Sequence, residues 1–121
     1  MRTVFGIDVS KASSEVAILV NGERVHSYTM PNDIIGFSHL LKDLKTVSNP
    51  EIIFEATGVY SRRLQAFLEE NSYDYTRLNP LEAKKQLDSL RVRKTDKIDA
   101  EKLASSQFVL NRKPTYVQEI V

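Results

Sequence analysis

A chain of 121 residues, 41% of them hydrophobic and 27% charged, has material for one domain with a core and is too short for two. No apolar run nears the ~20 residues of a membrane span, the opening segment is too short for a signal peptide, and the absence of cysteine excludes disulfides, zinc knuckles and thiol nucleophiles. The net charge of +1 hides an uneven distribution: acids are dispersed, whereas Lys84, Lys85, Arg91, Arg93, Lys94 and Lys97 crowd one stretch. A cytoplasmic setting without a membrane partner is expected.

Thr3 to Val9 reads as a strand apolar on both faces, and Ser13 to Val20 as a second, rich in Val and Ile. Asn21-Gly22 is a strong hairpin signal because both positions tolerate positive φ, so Glu23 to Met30 should return antiparallel. Asn32 reads as the N-cap of a helix over 33–45, whose Ile34, Phe37, Leu40, Leu41 and Leu44 fall on one face. Glu51 to Ala56 is a short strand carrying Glu55. A second helix follows from about Tyr60 to Asn71, then a fifth strand from Tyr73 to Leu78. Asn79-Pro80 opens a third helix running to about Leu90, and a fourth begins near Thr95. This order predicts an α/β fold, a mixed five-stranded sheet flanked by helices, with ligands gathering at the carboxyl ends of parallel strands. The domain is expected over 1–110, and 111–121 reads as a linker or the start of a further part.

Asp8 and Glu55 end or interrupt apolar strands, where a charge costs several kcal/mol unless something pairs with it. Asp8 alone reads equally well as a turn-forming residue before Ser10. Glu55 is harder to explain that way, since Glu suits neither strands nor turns. Should their strands be neighbours, the two carboxylates converge and call for a cation or a shifted pKa; magnesium, which prefers oxygen ligands, fits the side chains available. Asp96 and Asp99, three apart, share a face if helical, although either acid also suits a helix start. The basic stretch is a solvated face or a phosphate-holding one, and Arg62 and Arg63 would add to the latter. His26 and His39 have no metal-ligand companion at a useful spacing, and no hydroxyl has a neighbouring base.

Gly-Ile-Asp-Val-Ser-Lys at 6–11, Phe-Glu-Ala-Thr-Gly-Val-Tyr at 54–60 and Arg-Lys-Thr-Asp-Lys-Ile-Asp-Ala at 93–100 together resemble the amino-terminal domain of the DEDD transposases, insertion-sequence recombinases related to the Piv-type DNA invertases. The resemblance spans nearly the whole chain in the family's order. It implies a ribonuclease H-like fold similar to the RuvC Holliday-junction resolvase, with metal-dependent DNA strand cleavage and transfer. Asp8, Glu55, Asp96 and Asp99 would then be the catalytic acids, holding two Mg2+ (or Mn2+) ions. Such transposases continue into a second domain with a serine implicated in strand transfer, which makes this chain a fragment by expectation. DNA is the implied partner, with homo-oligomers expected of the longer protein; some of the family are guided by an RNA from the element itself.

Two other readings remain at this stage. Sugar kinases and actin-like ATPases begin with a similar strand, acid and hairpin, but their phosphate-binding turn usually wants glycine and threonine where Val9 and Ser10 stand. A non-catalytic nucleic-acid-binding domain would use the acids structurally.

Overall fold

A computed structural model describes residues 1–56, 58–80 and 99–118. Its elements are β1 (Thr3–Val9), β2 (Ser13–Val20), β3 (Glu23–Pro31), α1 (Ile34–Lys45), β4 (Glu51–Glu55), α2 (Val59–Glu70), β5 (Thr76–Leu78) and α3 (Ala100–Leu110). The β2–β3 hairpin turns at Asn21 and Gly22 with φ of 51° and 89°, the left-handed pair that the dipeptide signalled. Strand order is β3-β2-β1-β4-β5. The meander β1-β2-β3 is antiparallel, while β1 with β4 and β4 with β5 are parallel.

Side chains alternate across this sheet and so feed two cores. On one face Phe5, Ile7, Val16, Ile18, Ile52 and Phe54 pack under Leu40 and Leu44 of α1 and Leu64 and Leu68 of α2. On the other, Val4, Ala17, Leu19, Ile53 and Leu78 meet Ala100, Leu103 and Ala104 of α3. Ile7, Phe54, Leu40, Leu44 and Leu68 are fully buried, each stabilising by roughly 1.5–3 kcal/mol relative to exposure. Arg2 fastens the far end of the α3 face. Its guanidinium donates to both Glu51 carboxylate oxygens (2.5 and 3.0 Å), to the Asn111 side-chain oxygen (2.6 Å) and to the Gln107 carbonyl (3.1 Å).

Three local boundaries differ from the sequence-based expectation. Asp33, not Asn32, caps α1, accepting from the Ile35 and Gly36 amides at 3.0 Å, because β3 runs on to Pro31 and Asn32 is engaged with the β1–β2 turn. The fifth strand begins at Thr76 instead of Tyr73. Residues 71–74 are spent leaving α2: Ser72 is left-handed (φ 67°) and the Tyr73 amide returns to the Leu68 carbonyl (2.9 Å), as helix C-terminal turns do. The last helix begins at Ala100 and not near Thr95, since Asp99 is extended (φ −105°, ψ 177°) and cannot continue a helix. Finally, the third helix expected to end near Leu90 falls outside the described residues.

Beyond α3 the chain returns to the β5 edge. Tyr75 and Tyr116 form a bridge and stack at 5.0 Å, the Arg77 amide donates to the Thr115 hydroxyl (2.8 Å), and the Gln118 amide to Asp74 (2.9 Å). Those backbone groups would otherwise stand as an open strand edge. Among the described residues no helix is long and apolar enough to cross a membrane.

Candidate active site

The parallel register of β1 and β4 decides the site. Val4 lies beside Glu51, and the pairing steps regularly to Ile7 beside Phe54; one further step places Asp8 beside Glu55 at the carboxyl ends of both strands. Since Ile7 and Phe54 point to the α1–α2 core, strand alternation turns Asp8 and Glu55 to the α3 face. Both are half-buried. Burial, and then the negative charge of Asp8, push the Glu55 carboxyl above its ordinary range. Both causes act in the direction expected of an acid pair taken partly out of water.

The opposite pairing extends this row. Antiparallel β2 sets Glu15 directly across from Asp8, and β3 sets Thr29 across from Glu15. Three carboxylates from three adjacent strands therefore face the same side. Glu15 went unnoticed in the sequence because it sits mid-strand, flanked by buried Ser14 and Val16. Counting back from the β1–β2 turn would have paired it with Asp8.

Asp99 reaches this face from above. Gly6, two residues before Asp8, is where α3 crosses β1: a Cβ there would lie 2.1 Å from the Ala100 carbonyl oxygen. Asp99 is thus held just ahead of that crossing, and its carboxylate caps α3 by accepting from the Lys102 amide (2.8 Å). With Glu15, Arg24, Thr29 and Glu101 it lines a cavity of about 400 Å3. Arg24 and Glu101 approach to 3.6 Å at its rim, an exposed pair of small energetic worth.

The structure therefore joins Asp8 with Glu55 and sets Asp99 on their face. Among the described residues, no three His, Cys, Asp or Glu side chains lie together closely enough to hold a metal ion. Asp96, Lys84, Lys85, Arg91, Arg93, Lys94 and Lys97 lie outside the described residues. Arg62 and Arg63 are exposed near the start of α2, which begins shortly after Glu55. Tyr60, beside them, is 39% exposed and does not belong to the core.

A family model described as a transposase matches residues 5–120. Among solved structures, RuvC from T. thermophilus in complex with a Holliday junction substrate superposes with a TM-score of 0.63 at 12% identity, over 94% of this chain and 99% of that one. A second structure of Thermus thermophilus RuvC gives a TM-score of 0.64 at 14% identity, over 93% and 99%. No curated protein sequence matches. The shared fold is the ribonuclease H-like one, and at this identity the likeness is one of fold.

Proposed function

The chain belongs to the DEDD transposases, and from that premise we propose that it is their metal-dependent catalytic domain, cleaving and transferring DNA strands at Asp8 and Glu55. The observation that carries this reading is the placing of two half-buried carboxylates side by side at the ends of parallel strands, with Glu55 raised by burial and by its neighbour. Such an arrangement costs free energy unless a cation joins it, and carboxylate oxygens are the donors that magnesium or manganese prefers.

Asp8 and Glu55 would hold the metal, with Asp99 and Asp96 completing the set. Bound divalent ions supply charge neutralisation at a phosphodiester and a more acidic attacking oxygen. The chain's own contribution is orientation. β1 and β4 fix the spacing of the first two acids through backbone pairing, and α3, seated on Gly6, fixes the approach of the third. Arg62 and Arg63, with the basic residues between Lys84 and Lys97, would hold the DNA by its phosphates, which sets affinity without touching the chemistry. A guide RNA and a homo-oligomer rest on the family resemblance alone.

The test is nicking of supercoiled plasmid by the full-length protein with magnesium or manganese. Asp8→Ala and Glu55→Ala should abolish nicking and leave DNA binding within a few-fold of the parent. Metal-dependent nicking that survives both substitutions would refute the assignment.

A further inference from the structure

The turn joining β1 to β2 is fastened more firmly than strand pairing requires. It is already closed by the Ser10 amide donating to the Ser13 carbonyl (3.0 Å). Asn32, from the β3–α1 junction, then grips it a second time. The Asn32 amide donates to the Ala12 carbonyl (3.0 Å), and its side-chain Nδ2 donates to the Ser10 carbonyl (2.6 Å). Its Oδ1 accepts from the Ser14 hydroxyl (2.6 Å). Asn32 is 8% exposed and Ser14 only 1%, so the Ser14–Asn32 bond is buried and the bond to the Ser10 carbonyl partly so, and losing a partner would leave a buried polar group of Asn32 or Ser14 unsatisfied.

This arrangement has an electrostatic consequence. The carbonyl oxygens of Ser10, Ala12 and Ser13, which would repel an anion, are all occupied by donors from within the fold. Lys11, between them, is exposed. It stands three residues beyond Asp8, at the sheet end where Asp8 and Glu55 meet. A phosphodiester drawn to those carboxylates is repelled by them, and a cation at that end offsets the repulsion. A lysine on a fixed turn also gives up less freedom on binding than one on a loose loop.

We propose that the Ser10–Ala12 turn holds a backbone phosphate of the nucleic acid, with Lys11 as the contact and Asn32 as the residue that positions it. This rests on the reading of Asp8 and Glu55 as the catalytic acids of a DNA-cleaving domain.

The experiment measures binding of a short fluorescein-labelled DNA duplex to the full chain by anisotropy across a potassium chloride series, alongside thermal melting. Lys11→Ala should weaken binding roughly fivefold whatever the sequence, and lower the slope of log affinity against log salt by about one contact. Its melting temperature should stay that of the parent, and Lys11→Arg should restore the slope. Asn32→Ala should lower both the melting temperature and the salt slope. Once Asn32 is gone, adding Lys11→Ala should cost less than half the affinity it costs in the parent. Ser14→Ala, a milder change that removes one bond to Asn32, serves the same purpose if Asn32→Ala does not fold.

An unchanged affinity and slope in Lys11→Ala would overturn the phosphate contact. An equal loss with and without Asn32 would overturn the positioning role, since the effects would then be independent. Asp8→Asn, assayed for nicking in parallel, separates the two layers: metal-dependent cleavage by that variant would sink the underlying site and leave the Lys11 result to stand or fall by its own slope. A parent chain that binds no duplex would sink both.

Discussion

Replacing Gly6 by alanine asks whether α3 lies on β1 as closely as the carboxylate arrangement needs. An alanine Cβ would sit 2.1 Å from the Ala100 carbonyl oxygen and 2.9 Å from both the backbone nitrogen and the Cβ of Ala104. Ordinary contact begins near 3.4 Å, so the first turn of α3 must retreat by the difference between 3.4 and 2.1 Å, about 1.3 Å. The obstruction is backbone, which no rotamer change relieves. Ala100, Leu103 and Ala104, now 3% exposed or less, would each lose contact, and a gap of ~0.5–1 Å already forfeits a quarter to a half of the dispersion attraction. Overpacking of this kind costs about 1–3 kcal/mol and sometimes more, offset by roughly 0.5–1 kcal/mol for replacing glycine in a strand.

A net loss of about 1–2 kcal/mol should lower the melting temperature by roughly 3–12 °C for a domain of this size. Circular dichroism melts measure it, with Gly22→Asn as the control. Gly22 has φ 89° and nothing within 4 Å of a built Cβ, so asparagine, larger but tolerant of left-handed backbone, should cost well under ~1 kcal/mol. A Gly6→Ala chain that melts with the parent would show that α3 does not lie against β1, and would remove the support for Asp99 near Asp8.

Three further expectations follow from the same geometry. Asp8→Asn should leave the melting temperature unchanged or raise it, because it relieves the burden on Glu55, and magnesium should stabilise the parent by mass action far more than this variant; equal stabilisation of both in a thermal-shift titration would place the ion elsewhere. Arg2→Ala should cost about 1–2 kcal/mol at neutral pH, discounted for the solvent that reaches both partners, by loss of its bonds to Glu51, Asn111 and Gln107. The pH dependence of that loss follows from Glu51, whose carboxyl the Arg2 hydrogen bond holds below its ordinary range, against the opposing effect of burial and with help from Gln107. A depressed folded pKa stabilises above the unfolded value and fades as pH falls through the folded one, so the gap between parent and variant urea curves should be widest at neutral pH and narrow as pH falls below the ordinary glutamate range, leaving the part carried by Asn111 and Gln107. Ending the chain at Leu110 should lower the melting temperature and promote self-association, since it strips Thr115 and Tyr116 from the β5 edge; light scattering alongside the melts checks it.

Much of the architecture was readable from local chemistry. The Asn21-Gly22 turn, the alternating apolar strands and the helical spacing of Phe37, Leu40 and Leu44 report interactions between residues close in the chain, and the three motifs at 6–11, 54–60 and 93–100 marked the family. Helix and strand ends were less legible because they depend on partners from elsewhere: Asn32 looks like a cap, but the turn at Ser10 to Ala12 claims its side chain and leaves Asp33 to cap α1. The convergence of Asp8 and Glu55 was legible only as a condition, that their strands be neighbours. Residues 47 apart acquire a common register through the β1–β4 pairing, which no local pattern encodes. Gly6 is the clearest case. In sequence it is merely a small residue in a strand, and its meaning comes from a helix nearly a hundred residues later whose carbonyl occupies the space a side chain would fill.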